Sequence, residues 1–194
     1  TGMIANSYET KNSILKNNPT LFPYEKIKVL YNGIHLDQFD KMPHQLFYQR
    51  KGSEVVIGSA GRLSHEKGHH LLIDAAVILK KEQIPFVFLL AGKGPKEQVL
   101  RKAVLDKQVQ DHFVFTGFVQ NMKAFMENID LFVLPSLWEG FGYVSIEAMA
   151  SAKPVVCFNV GSNPEVIADH QTGLLAKPFD VEELSAHIKK LIED

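Results

Sequence analysis

Pro135-Ser136-Leu137-Trp138-Glu139-Gly140-Phe141-Gly142-Tyr143-Val144-Ser145-Ile146-Glu147-Ala148-Met149-Ala150 joins a glycine-rich turn to a helical pattern and carries two glutamates. The run before it, Asp130-Leu131-Phe132-Val133-Leu134, is short, apolar and bounded by Pro135, and predicts a buried strand. From about Tyr143, good helix formers continue to Ala150 and predict a helix. A strand, a glycine-containing turn and a helix together aim backbone N–H groups and a helix N-terminus at an anionic ligand. Glu139 falls in the turn, and Glu147 lies about one turn inside the helix, so they cannot pair on one helix face. They suit two different parts of one extended ligand.

Working outward, the same alternation recurs. Strands are predicted at Val55–Gly58, Phe86–Leu90, His112–Phe115 and Pro154–Phe158, with a short one at Gly173–Ala176. Between and after them fall helical patterns: His69–Lys81, with Leu72, Ala76 and Leu79 on one face; Lys96–Leu105; Met122–Asn128; and Val181–Ile192. Strands alternating with helices predict an α/β fold, a Rossmann-like parallel sheet with helices on both faces. Ligands of such sheets bind outside the carboxyl ends of the strands. Near the start, Ile4–Ser7 reads as a strand end running into a helix with Ser7 as N-cap, stopped by Asn17-Asn18-Pro19. Lys26–Tyr31 is strand-like, and Asn32-Gly33 is a strong turn signal. Residues 41–53 are polar, bounded by Pro43 and Gly52, and read as a linker.

Bulk properties narrow the class. A chain of 194 residues can bury one domain or one plus a fragment, and a net charge of −1 lacks the basic footprint of a nucleic-acid binder. No apolar run reaches the roughly 18 residues of a transmembrane helix, and residues 1–4 do not resemble a signal peptide. Cys157 is the one cysteine, in an apolar strand, and fits an inert core residue in a reducing compartment. A cytoplasmic location is the expectation.

Two loops add chemistry. Gly61-Arg62-Leu63-Ser64-His65-Glu66-Lys67-Gly68 follows the first strand of the alternating unit and carries two cations five residues apart. Arg62 suits chelation of phosphate oxygens and Lys67 a point charge, together fitting a diphosphate. Gly92-Lys93-Gly94-Pro95 lacks the third glycine of a dinucleotide fingerprint, since Glu97 stands there, and Pro95 suits a helix's first turn. His69 and His70, adjacent on a helix, do not face each other, which argues against a metal site there.

The Glu139-x7-Glu147 spacing, with Gly140-Phe141-Gly142 after the first Glu and Ala148-Met149-Ala150 after the second, resembles the signature of retaining glycosyltransferases of family 4. The resemblance spans about residues 26–192. It implies the GT-B fold, two facing Rossmann-like domains with the active site between them, of which this chain would hold the carboxyl-terminal one. Val29–Ile34, with Phe39 downstream, is similar to the family's passage between domains. On that reading, residues 1–40 are the tail of the N-terminal acceptor domain, 41–53 a linker, and 54–194 the nucleotide-sugar-binding domain, truncated before the family's closing helices.

The same resemblance implies roles. Glu139 would address the donor sugar hydroxyls and Glu147 the ribose hydroxyls; an ionised carboxylate accepts from neighbouring hydroxyls on chemical grounds alone. Arg62 and Lys67, beside Gly61, would compensate the departing diphosphate, with no metal or other cofactor expected. Gly140, Phe141 and Gly142 would orient the sugar through their backbone, and the helix start at Gly142, Tyr143 and Val144 would address the diphosphate. Phe118 and Val119 would border the base. Gly92 and Lys93 border the nucleotide or are structural; Trp138 lines the cleft or anchors its loop; Gly161 and Ser162 contact a phosphate or make a turn.

The implied partners are a UDP- or GDP-linked sugar, a glycan or lipid-linked acceptor, and the N-terminal domain of the same enzyme, with peripheral membrane association of the full enzyme at its inner face. The implied reaction moves a hexose-type sugar with retention of configuration, and this chain alone is expected to bind donor weakly without transferring it. A GT-B-like sugar-nucleotide epimerase and a non-catalytic nucleotide-binding module are the alternatives.

Overall fold

The computed structural model describes residues 2–20 and 23–193, with Gln38 as backbone only; the outer limits of the expected segments, Thr1 and Asp194, lie outside the described residues. The main body contains strands β3 (Val55–Ala60), β4 (Phe86–Ala91), β5 (Phe113–Gly117), β6 (Leu131–Leu134), β7 (Val155–Phe158) and β8 (Gly173–Ala176). They form one six-stranded sheet in the order β5-β4-β3-β6-β7-β8, with every pairing parallel. The chain first winds outward from β3 to β5, then restarts beside β3 with β6 and winds the other way. The loops leaving β3 and β6 therefore diverge, and a crevice opens at their carboxyl ends.

Successive strand residues face opposite layers. Ile57, Phe88, Val133 and Phe158 pack with Leu72 and Leu79 of helix α3 (His69–Lys81), Leu100 of α4 (Glu97–Asp106), and Leu184 and Ile188 of α8 (Val181–Glu193). Val56, Leu89, Phe132 and Cys157 pack with Phe125 of α5 (Met122–Glu127) and Ala148 of α6 (Tyr143–Ala150). Burial on both faces is why these strands read as continuous apolar runs. Each fully buried Leu or Phe contributes about 1.5–3 kcal/mol relative to exposure.

Helices α3, α4 and α6 end alike. In each, the residue after the C-cap is left-handed: Gln83 (φ 58°), Gln108 (φ 54°) and Ala152 (φ 54°). The next N–H reaches back to the carbonyl three positions before the C-cap: Ile84 to Leu79, Val109 to Val104 and Lys153 to Ala148. This is the Schellman closure, made here without glycine.

A small parallel pair, β1 (Met3–Ala5) and β2 (Ile27–Val29), flanks α1 (Tyr8–Asn17). Ser7 caps α1 as expected, accepting from Thr10 N at 3.0 Å. The expected turn at Asn32-Gly33 is absent. That segment has no regular structure, Gly33 is not left-handed, and the Tyr143 hydroxyl donates to the Gly33 carbonyl at 3.1 Å. A tertiary contact overrides the local turn preference. Strand β5 also starts and ends later than its pattern suggests, because His112 lies in a 3-10 turn. Two four-residue helices, α2 (Leu36–Phe39) and α7 (Asn163–Val166), and 3-10 turns at Tyr24–Lys26, His65–Lys67 and Gln110–His112 complete the described elements.

Residues 41–53 have no regular structure beyond turns, yet they are fastened along the body. Asn128 receives the Phe47 N–H at 3.0 Å and donates to the Gln45 carbonyl at 2.8 Å. Arg50 grips Asp130 through two bonds of 2.7 and 2.8 Å. Among the described residues no helix is long and apolar enough to cross a membrane.

Candidate active site

The crevice between the carboxyl ends of β3 and β6 gathers most of the residues singled out above. Lys67, near the end of the loop after β3, donates to Glu139 Oε1 at 2.5 Å, and Ser136 Oγ donates to the same oxygen at 2.6 Å. Glu139 is only 5% exposed. A nearly buried carboxylate requires such partners, because an isolated ionised group would be strongly penalised there. Its backbone is pinned as well: Ser162 N and Oγ donate to the Glu139 carbonyl at 3.0 and 3.3 Å. Gly161 is left-handed (φ 55°), and a Cβ there would come within 2.3 Å of that carbonyl. Gly161 and Ser162 thus make a turn that seats Glu139.

Lys67 is aimed by the loop that carries it. Gly68 is left-handed (φ 65°), and a Cβ on it would come within 1.9 Å of the Pro135 carbonyl, so the two loops touch backbone to backbone. Leu137 N also donates to the Glu66 carbonyl at 2.9 Å. The aliphatic stem of Lys67 lies over Gly61.

Beside this pair opens a cavity of about 640 Å³ lined by Gly61, Arg62, Gly92, Lys93, Phe118, Val119, Met122 and Val144, among others. Arg62 is exposed, and its guanidinium makes no hydrogen bond or ion pair among the described residues. Phe118 is 71% exposed, whereas Val119 is buried and belongs to the core. A cavity of about 540 Å³ lies at the other end of the sheet, against Pro154 and Gly173 at the strand starts; the diverging loops and the charged residues above lie away from it.

Between cavity and ion pair, α6 begins. Gly142 is left-handed (φ 67°) and leads directly into Tyr143. Among the described residues the N–H groups of Gly140, Phe141 and Gly142 take no hydrogen-bond partner. Three donors of the backbone thus precede a helix N-terminus with its partial positive charge. The Phe141 side chain turns away, buried against Tyr31 at a ring separation of 6.0 Å. The Tyr143 side chain is spent on Gly33. Phe141 can address a ligand here only through its backbone.

Glu147 sits one turn farther along α6 than Val144 and is not part of the cavity lining. Burial pushes its carboxyl up to about 7, and no partner among the described residues offsets that. Burial, with the charges of Glu139 and Asp169, pushes the Cys157 thiol up to about 12, so it stays protonated and unreactive. His69 turns into the core, where burial and the neighbouring Lys67 lower it to about 4, while His70 stacks on His65. Among the described residues no group of three or more His, Cys, Asp or Glu could hold a metal ion.

Gly92 and Gly94 have a packing role: a Cβ would come within 1.9 Å of the Gly61 carbonyl at the first and 2.4 Å of the Leu63 carbonyl at the second. Trp138 is exposed, its indole edge beside Gly140. The contribution of Ser136 is not marked by any motif in the sequence. Its position three residues before Glu139, next to a strand end, was the available signal. Nor does any local pattern mark Met122 in the cavity wall.

Known proteins resemble this chain in sequence and in fold. The family model of group 1 glycosyl transferases matches residues 44–194. A 2-deoxystreptamine glucosyltransferase of Streptomyces kanamyceticus is 36% identical over 141 residues, covering 72% of this chain and 36% of that protein. A capsular polysaccharide biosynthesis glycosyltransferase, CapM, of Staphylococcus aureus is 30% identical over 202 residues, covering 100% of this chain and 53% of that one. The crystal structure of Anabaena Alr3699/HepE in complex with UDP-glucose superposes with a TM-score of 0.84 at 27% identity, over 100% of this chain and 54% of that one. The chain thus spans about a third to a half of the length of these relatives.

Proposed function

The chain belongs to the group 1 glycosyl transferases, and from that premise we propose that it is the donor-binding part of a retaining enzyme of the GT-B type. The whole enzyme moves a hexose-type sugar from a UDP- or GDP-linked donor to a glycan or lipid-linked acceptor. The observation that carries this reading is the Lys67–Glu139 pair held beside the start of α6, at the point where the strand order reverses.

The chemistry follows from the groups present. Retaining transfer passes through an oxocarbenium-like centre while a diphosphate departs, so positive charge is needed at the phosphates and oriented acceptors at the sugar. Lys67 has three ammonium protons; one stays on Glu139 Oε1 and the others are available to a phosphate oxygen. Arg62, exposed in the cavity wall, supplies a bidentate fork, and the α6 N-terminus adds roughly half a positive charge. These three offset the charge of a diphosphate without a metal. Glu139 Oε1 is held by Ser136 and Lys67, which leaves Oε2 to accept from sugar hydroxyls. Glu147, ionised, accepts from the ribose hydroxyls, and Phe118 with Val119 borders the base.

The relatives support a nucleotide-sugar donor: one is a 2-deoxystreptamine glucosyltransferase, and another was crystallised with UDP-glucose. This chain alone binds donor but does not transfer it, because the acceptor is held by the other domain of the full enzyme. Calorimetric titration with UDP and GDP, beside Glu147→Ala, tests the reading. One nucleotide binding, and the variant weakened at least tenfold, supports it; no binding of either at millimolar concentration contradicts it.

A further inference from the structure

The loop that carries Glu139 is gripped from outside the main body. Ser7 Oγ, the N-cap hydroxyl of α1, lies 2.7 Å from the Gly140 carbonyl oxygen, and Thr10 Oγ1 lies 3.2 Å from it. Ser7 is fully buried. The two hydroxyls, 2.9 Å from each other, converge on one acceptor: the single proton of Ser7 goes to the nearer Gly140 oxygen, whose two lone pairs can take both donors. Alpha-helix α1 is itself locked to the body: Glu165, on α7, accepts Tyr8 N at 2.7 Å, Glu9 N at 2.8 Å and the Tyr31 hydroxyl at 3.0 Å. One carboxylate thus fastens α1 and the segment after β2, and two hydroxyls of α1 fasten Gly140.

That grip sets the direction of a donor group. The Gly140–Phe141 peptide is trans, so its C=O and N–H point in opposite directions. With the carbonyl held towards α1, the Phe141 N–H must point away from α1, and among the described residues it takes no partner. Gly140 gives this peptide unusual rotational freedom, since it has no Cβ to limit it. Without an external hold, the peptide could turn the wrong group towards the ligand.

We propose that Ser7 and Thr10 are positioning residues for the donor sugar, acting by holding the Gly140 carbonyl so that the Phe141 N–H is presented to an oxygen of the bound hexosyl group. The inference rests on the donor-binding reading above. Its consequence is that a segment remote in sequence completes the sugar subsite through the backbone, while contacts to the nucleotide are independent of it.

The test is calorimetric titration of the whole 194-residue chain with UDP-glucose and, separately, UDP. The variant is Ser7→Gly with Thr10→Val, which removes both hydroxyls; glycine at an N-cap costs only a few tenths of a kcal/mol. The expected result is UDP-glucose affinity lowered about tenfold, the cost of one misdirected hydrogen bond, with UDP affinity unchanged within twofold. Ser7→Thr, which keeps a hydroxyl, is expected to retain UDP-glucose affinity. Equal loss of both ligands would reduce the contact to a structural one and overturn the proposal, as would no loss of either. If the unaltered chain bound neither these ligands nor their GDP counterparts, the donor-binding reading itself would fall, a result distinct from both of these.

Discussion

Lys67 and Glu139, 72 residues apart in the chain, meet in a 2.5 Å ion pair where the sheet reverses its strand order. The pair is unequal: the Lys67 side chain is 25% exposed and that of Glu139 only 7%. Removing the cation strands a buried carboxylate with Ser136 as its remaining side-chain partner. Neutralising the carboxylate leaves an ammonium that can reach water. Lys67→Ala is therefore expected to lower stability by about 2–4 kcal/mol and Glu139→Gln by about 1 kcal/mol or less. Urea unfolding at pH 7 measures both, and equal losses would contradict the asymmetry.

Gly161 and Gly52 share a left-handed backbone, with φ of 55° and 63°, but not their surroundings. Around Gly52 nothing lies within 4 Å of an added Cβ, whereas at Gly161 the Glu139 carbonyl would be 2.3 Å away. Gly52→Ala should cost only the conformational penalty of about 1–2 kcal/mol. Gly161→Ala should cost clearly more and also weaken UDP-glucose binding, because it displaces the residue that holds Glu139. Thermal melts together with titration of the two variants separate the effects.

Glu147 makes stability and binding respond to pH in opposite directions. Its folded value, about 7, lies above the ordinary 4.5, so the native state holds the proton more tightly. Stability therefore falls as pH rises from about 4.5 to about 7 and then levels off. Glu147→Gln removes that loss and should be more stable than the parent at pH 8 by about 1–2 kcal/mol, reduced from the full shift because the group is only half-buried. On the proposed ribose role of the carboxylate, UDP-glucose affinity should rise between pH 6 and 8 in the parent and stay flat in the variant.

The three helix ends closed by Gln83, Gln108 and Ala152 offer a stabilising change. Each holds a left-handed residue that carries a Cβ, where glycine bears no such penalty. Replacing all three by glycine should raise stability by about 1–3 kcal/mol in total, the gain being partly offset by the greater entropy of the unfolded chain. Differential scanning calorimetry would record it as a higher Tm; a lower Tm would contradict the strain.

Much of the body was legible because its forces are local. Buried strands such as Phe86–Ala91 announce themselves as apolar runs, and α3 and α8 by apolar residues at helical spacing. Glu139, Arg62 and Lys67 stood out because charge beside glycine is conspicuous near predicted strand ends. What was not legible depends on distance in sequence. Asn32-Gly33 has the composition of a turn, but Tyr143, 110 residues away from Gly33, holds it otherwise. Glu165 and Tyr8 are 157 residues apart, and nothing near either names the other. The helix ends themselves were legible, His69–Lys81 matching α3 and Ala150 ending α6, but their left-handed closures were not, because glutamine or alanine stands where glycine would mark them.

Saturation-transfer NMR of UDP-glucose with this chain tests the central claim most directly, since it reports separately on sugar, ribose and base protons. Contact signals from all three are expected in the parent. In Glu139→Gln the glucose signals should fall selectively, and in Glu147→Gln those of the ribose. Signals that weaken uniformly in both variants, or do not change in either, would contradict the division of the donor between the two glutamates.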